Sequence, residues 1–192
     1  MQKKRRASKP FKTSSKENDK YPNLLVNLKP ISSNLVWATD FTYLKFKNKF
    51  FHLATFIDIY SQKIVGFNIS DKHDTELILR AFREAVKKEN TSPEIIHSDQ
   101  GSEYCGEEYY RTLKEKNIKI SMSSKASPWQ NGFQESYYRG FKEDLGSIKD
   151  CLSIGELLDR VFKTIHYYNN LRIHSALKMS PQQFLELKVK SG

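Results

Sequence analysis

Cysteine is scarce in this chain: its 192 residues hold only Cys105 and Cys151, and neither belongs to a C-x-x-C pair. A disulfide scaffold is thereby excluded as the basis of the fold, and a reducing compartment is expected. Long apolar runs are missing as well. None approaches the ~20 residues of a membrane span, so no membrane partner is expected. The basic opening, MQKKRRASKPFKTSSKENDK, has no apolar stretch behind it and does not read as a secretory signal. Acids are under-represented, with 22 Asp+Glu against 32 Lys+Arg, a net charge of +10 and a pI near 9.5. That sign and size favour an anionic partner, nucleic acid first. No internal repeat occurs. What is present, 38% hydrophobic and 12% aromatic residues, suffices for a core and excludes disorder throughout. The length fits one ordinary domain with an appendage, soluble and intracellular.

The basicity is unevenly spread. Residues 1–30 carry nine bases against Glu17 and Asp19, hence +7 of the +10, and they have few large apolar residues before Leu24. Such a segment cannot offset its ordering entropy by burial, so 1–30 reads as a flexible arm. Lys3, Lys4, Arg5 and Arg6 are its candidate phosphate contacts.

From Asn34 the pattern changes. Residues 35–44, 50–59 and 64–69 are rich in β-branched and aromatic residues and are joined by short connections. They predict an antiparallel three-stranded meander. Asp74 caps a predicted helix to about Lys88, with apolar residues at helical spacing. A short strand at 94–99, a helix at 106–116 and a strand at 118–122 follow. The alternation predicts a mixed α/β sheet of five strands flanked by helices. Residues 123–132 read as a loop and Gln134 to Leu145 as a helix. Ser153–Glu156 and Ser180–Gln183 read as capping boxes opening two more helices. The resulting division is an arm at 1–30, a core at 31–150 and a helical extension packing on it at 151–192.

Three acids carry the candidate chemistry. Asp40 lies inside the first strand, Asp99 ends the fourth just before a Gly-containing turn, and Glu135 opens a helix. Asp99 and Glu135 have 35 residues between them. Converging carboxylates repel unless cations neutralise them, and hard oxygen ligands favour Mg²⁺ or Mn²⁺. Two such ions activate a hydroxyl or water and stabilise the leaving oxygen in phosphodiester displacement. Taken singly, each acid also has a structural reading: a buried hydrogen-bonded Asp40, a turn-forming Asp99, a helix-opening Glu135. Around them, Trp129 and Gln130 are candidate DNA contacts in the loop, with Trp129 suited to stacking on an unpaired base. Arg139 and Lys142, four and seven positions after Glu135, share its helix face and suit phosphate contacts. Asp58 reads as a hydrogen-bonding partner of its own turn, His97 as a core histidine, and Arg172 and His174 as a staple for the last helix.

The stretches Val36–Tyr43 (VWATDFTY), Phe56–Gly66, His97–Tyr104 (HSDQGSEY), Asn131–Ser136 (NGFQES) and Tyr168–Leu177 (YNNLRIHSAL), ending in Ser180-Pro181, resemble in order the catalytic core of retroviral-integrase-like DDE transposases. The nearest resemblance is to the OrfB type of bacterial insertion sequences, over residues 34–185. It implies an RNase H-like fold and a metal-binding triad at Asp40, Asp99 and Glu135. The implied reaction is metal-dependent DNA strand cleavage and transfer, with Mg²⁺ or Mn²⁺ as cofactor. It further implies a homo-oligomer bridging DNA ends in the bacterial cytoplasm, associated with the nucleoid. The family's usual helix-turn-helix region has no counterpart in residues 1–30, which points to a partner from an upstream frame. The five histidines form no H-x-H pair with a C-x-x-C, so the zinc domain of retroviral integrases is not expected. The competing readings are a non-catalytic DNA-binding remnant or regulator of transposition, and a host nuclease of the ribonuclease H kind.

Overall fold

The computed structural model describes residues 21–26, 28–123 and 132–191, with the side chains of 132–135 and 191 outside that description. The arm residues Lys3, Lys4, Arg5 and Arg6 and the loop residues Trp129 and Gln130 lie outside the described residues.

Five strands form one sheet in the order β3-β2-β1-β4-β5. Strands β1 (Val36–Phe46), β2 (Lys49–Asp58) and β3 (Ile64–Ser70) make the antiparallel meander, with Trp37 opposite Asp58 and Asp40 opposite Thr55. Strands β4 (Ile95–Ser98) and β5 (Lys119–Met122) then add in parallel on the far side of β1. The sheet is thus the mixed five-stranded one expected.

Period-two alternation sends the two faces of β1 to different layers. Trp37 packs with Phe56, Phe82 and Leu113 under α1 (Thr75–Glu89) and α2 (Glu107–Glu115). Leu44 and Phe46 pack with Phe51, Phe141 and Leu157 under α3 (Gly132–Leu145) and α4 (Ile154–Asn170). Helix α1 lies so close to β3 that a Cβ on Gly66 would stand 2.5 Å from Ala85 Cβ and 2.6 Å from the Ala81 carbonyl. Only small residues on both elements permit that approach.

Caps sit where the sequence placed them. Asp74 accepts from the Leu77 N–H (3.0 Å). Ser180 and Gln183 bond reciprocally (3.3 and 3.1 Å) at the start of α5 (Pro181–Ser191). At α4, Ser153 accepts from the Glu156 N–H, whereas Glu156 reaches past the cap to the Leu152 N–H (2.9 Å). Part of segment 21–30 is seated on the sheet: Tyr21 stacks on Tyr110, Pro22 accepts from the Met122 N–H, and the Leu24 N–H donates to Ser121. Aromatic and apolar residues from Tyr21 to Leu25 allow this.

A clasp joins the C-terminal helices to the sheet. The buried Asn169 side chain accepts from the Ile64 N–H and donates to the Ile64 carbonyl, both at 2.9 Å. The Arg172 guanidinium pairs with Asp144 and lies against Gly140 of α3, where a Cβ would come within 2.9 Å of it. His174 Nδ1 meets Gln62 Oε1 at 3.0 Å. Arg172 and His174 therefore staple the tail to the core, as read. No helix among the described residues is long and apolar enough to cross a membrane.

Candidate active site

Parallel pairing of β1 and β4 sets Val36 beside Ile95, Trp37 beside Ile96 and Ala38 beside His97. Two residues further along each strand stand Asp40 and Asp99. Equal steps from a matched pair keep the same face, so the register directs Asp40 toward the α3 side of the sheet at the level where β4 ends and Asp99 follows. Strand β4 stops at Ser98, which frees Asp99 from the ladder at the carboxyl edge, where α/β folds commonly place their ligands.

The third acid comes by way of a tyrosine. The Tyr138 hydroxyl donates to the Asp40 carbonyl (2.6 Å) and meets Thr55 Oγ1 at 2.9 Å, so the threonine hydroxyl donates to the phenol. Burial, then the Asp40 charge, hold the phenol pKa well above its ordinary value, keeping it a donor. Tyr138 thereby pins α3 to β1 at the level of Asp40. Glu135 stands one turn earlier on the same helix, at i−3.

Asp99 is half-buried and accepts from the Gly101 N–H (2.9 Å). Burial raises its carboxyl pKa first; the Gly101 hydrogen bond opposes this, the nearby Glu103 raises it further, and His73 lowers it. Glu103 is itself buried, 3.4 Å from His73 Nε2. In an otherwise buried strand end, the His73 imidazole stands beside these two carboxyls. A hard divalent cation suits such a donor set. Among the described side chains, which do not include that of Glu135, no group of three His, Cys, Asp or Glu is placed to hold a metal.

Beneath Asp99, His97 is fully buried between Ser121 (2.8 Å) and Ser123 (3.4 Å), and burial pushes its pKa down to about 4. It is the satisfied core histidine anticipated. Arg139 and Lys142 are exposed on α3, and Lys142 Nζ lies 4.9 Å from the centroid of the Tyr43 ring. Asp58 closes β2 opposite Trp37, three register steps from the Asp40–Thr55 pair, where Ser61 Oγ and the Tyr60 N–H donate to it at 2.7 and 3.2 Å. It takes no part in the acid end.

Sequence reasoning missed Tyr138, Glu103 and Asn169. For Tyr138 a signal existed in its spacing of three from Glu135. A buried Glu103 in a polar turn, and Asn169 in a polar helix end, left none.

Comparison with known proteins gives one consistent result. Two family models described as integrase core domain match residues 31–128 and 116–181. The transposase of insertion sequence element IS904 from Lactococcus lactis is 37% identical over 167 residues, covering 85% of this chain and 66% of the relative. A putative transposase of element IS150 from Escherichia coli is 31% identical over 159 residues, covering 82% and 56%. The chain thus spans less than two thirds of the length of either. Among solved structures, the HTLV-2 integrase catalytic core domain in complex with magnesium superposes with a TM-score of 0.69 at 20% identity, covering 81% of this chain and 99% of that one. A chain of the simian T-cell lymphotropic virus intasome in complex with PP2A regulatory subunit B56 gamma gives 0.73 at 18% identity, covering 82% and 56%. The fold is RNase H-like.

Proposed function

This chain belongs to the integrase core domain family, and on that footing we propose that it is the catalytic core of a bacterial insertion-sequence transposase. It cleaves DNA strands at element ends and joins them to target DNA. The observation that supports the reading is the parallel register of β1 with β4, two residues short of Asp40 and Asp99, together with Tyr138 tying the Glu135 helix to the Asp40 backbone.

In this reading Asp40, Asp99 and Glu135 hold divalent cations, Mg²⁺ first and Mn²⁺ as substitute. The donor set fits: hard carboxylates, one of them with its pKa raised by burial and a neighbouring acid. Bound there, the ions would activate a water or a DNA 3′-hydroxyl as nucleophile and stabilise the leaving oxygen. The chain's own residues do the remainder. Tyr138 fixes the backbone at Asp40, and the Gly101 N–H orients Asp99. His97 stays neutral beneath it and adds no competing charge. Arg139 and Lys142 present cations to the phosphates flanking the reacting one. Trp129 and Gln130 approach the unpaired end, and the basic arm, with Lys3, Lys4, Arg5 and Arg6, tethers DNA beyond the site.

Strand transfer needs two ends held together, so the working form is a homo-oligomer on DNA. End recognition falls to a helix-turn-helix partner. The setting is the bacterial cytoplasm, at the nucleoid. The test is cleavage and strand transfer on pre-cut DNA ends with and without Mg²⁺, for the intact chain and for Asp40→Asn, Asp99→Asn and Glu135→Gln. Each variant is expected to fold and to lose both steps. Wild-type rates in any of the three overturn the assignment, and transfer by the intact chain excludes a non-catalytic remnant.

A further inference from the structure

The β1–β2 hairpin carries a feature that the acid site does not use. Between Phe41 and His52 the chain holds Lys45, Lys47 and Lys49 and no acid. Two large rings there, Tyr43 and Phe50, are 57% and 50% exposed and meet edge to face at 5.7 Å. Lysines lie near both rings rather than carboxylates: Lys142 Nζ is 4.9 Å from the Tyr43 centroid and Lys45 Nζ 6.0 Å from that of Phe50. Lys47 is engaged by the fold, donating to the Leu152 carbonyl at 2.7 Å. Among the described residues, Lys45, Lys49 and Lys142 have no carboxylate partner within ion-pair distance. An exposed aromatic pair on a monomer surface marks an interaction site more often than a scattered apolar residue does, and the cations around this one exclude a basic or purely apolar partner.

The position of the strip is set twice over. Tyr43 is three residues beyond Asp40 on β1, a distance of about 10 Å at the strand rise. Lys142 is seven residues beyond Glu135 on α3, also about 10 Å at the helix rise. Tyr43, an odd number of steps from Asp40, stands on the other face of β1, and Lys142 reaches its ring from α3 at 4.9 Å. A DNA strand advances about 3.4 Å per nucleotide, so that contact stands about three nucleotides from the acids.

Resting on the function proposed above, we propose that this lysine–aromatic strip is the track along which the DNA strand leaves the acid site. Lys45, Lys49 and Lys142 neutralise its phosphates. The Tyr43 ring stacks on a nucleotide about three positions from the reacting phosphate, and Phe50 buttresses Tyr43 edge-on. Stacking of this kind tolerates any base, because every base offers a π-face. The strip consequently contributes affinity and register without terminal-sequence specificity.

The experiment uses the full chain and a fluorescein-labelled duplex with a three-nucleotide single-stranded end, intact or abasic at the third position. Tyr43→Ala is expected to weaken binding roughly 5- to 150-fold. The abasic probe should weaken wild-type binding to a similar extent but add little to the loss in Tyr43→Ala. Lys45→Gln with Lys49→Gln should lower the slope of log affinity against log salt by roughly one to two. Thermal melts control for folding, which these exposed positions should leave unchanged. Wild-type affinity and slope in these variants, equal sensitivity of wild type and Tyr43→Ala to the abasic position, or no DNA binding by the intact chain would each overturn the strip. Asp99→Asn separates the two readings. It should bind as wild type without cleaving; if it cleaves while Tyr43→Ala loses binding, the strip stands and the catalytic assignment falls.

Discussion

Asp58 and Asp99 start from one sequence pattern, an aspartate closing a run of buried strand residues, yet their surroundings differ. Both carboxyls are pushed up from the ordinary range by burial. At Asp58 the opposing influences are hydrogen bonds alone: Ser61 Oγ, then the backbone N–H groups of Tyr60, Asn34 and Ser61. Its lone pairs are spent inside its own turn, where it is almost wholly buried. Asp99 has the Gly101 N–H, a second carboxylate at Glu103 and the His73 ring. Asp58 closes β2 as an acid that organises a turn. Asp99 and Glu103 instead gather at the edge beyond β4, with the His73 imidazole beside them. A buried carboxylate is informative only through what else is buried beside it.

This contrast can be broken most directly at the open end. Asp99→Asn should cut the cleavage rate at least about a thousandfold, roughly 4 kcal/mol of barrier, while stability in urea stays equal or rises as like charges are relieved. A variant that unfolds and keeps the residual rate of its folded fraction would make Asp99 a second Asp58. Next in size, Mg²⁺ should raise the melting temperature of the wild type. At a hundredfold excess over its dissociation constant the stabilisation is about 2.7 kcal/mol, and it should vanish in Asp40→Asn and Asp99→Asn but survive in Asp58→Asn. Equal shifts in all of them would remove the metal from the acid end.

At the closed end, Asp58→Ala strands the Ser61 hydroxyl and the Tyr60 N–H and should cost about 2 kcal/mol of stability. The cleavage rate of the folded protein should not change. The smallest effect sharpens the comparison by pH. Asp58 has a folded pKa above the 3.8 of an ordinary aspartate, so its favourable contribution is complete below that value and is lost as pH rises through the folded pKa. The stability of wild type relative to Asp58→Asn should therefore fall from pH 3.5 to pH 7 and then level off. A difference that grows in favour of wild type over that range would mean Asp58 is held charged rather than merely buried.

Much of the fold was legible because its signals are local. Alternating β-branched and aromatic residues mark β1 to β3, and Asp74, Ser153 and Ser180 mark helix starts with side chains that bond within three residues. The acids were legible as residue types, and their spacing through a family resemblance. What sets β1 beside β4 is the pairing of strands 59 residues apart in number, Val36 with Ile95, and no local pattern encodes it. Tyr138 reads from periodicity as one more core aromatic. Only the packed structure reveals that its hydroxyl reaches the Asp40 carbonyl. Glu103 and Asn169 escaped for the same reason: their partners, His73 and the Ile64 backbone, are distant in sequence.

The placement of β1 at the centre of the sheet has a consequence in time. The meander is complete at Ser70 and needs only hairpin closures. The parallel partner of β1 must wait for α1, and α3 follows more than thirty residues after β4. Contacts of high sequence separation form late, because the loop must be closed before the pairing rewards it. A chain still emerging from the ribosome therefore carries Asp40 on a finished hairpin long before Asp99 and the Glu135 helix arrive. Products that end before α3 therefore lack the Glu135 helix, and the proposed site is complete only in chains synthesised through it.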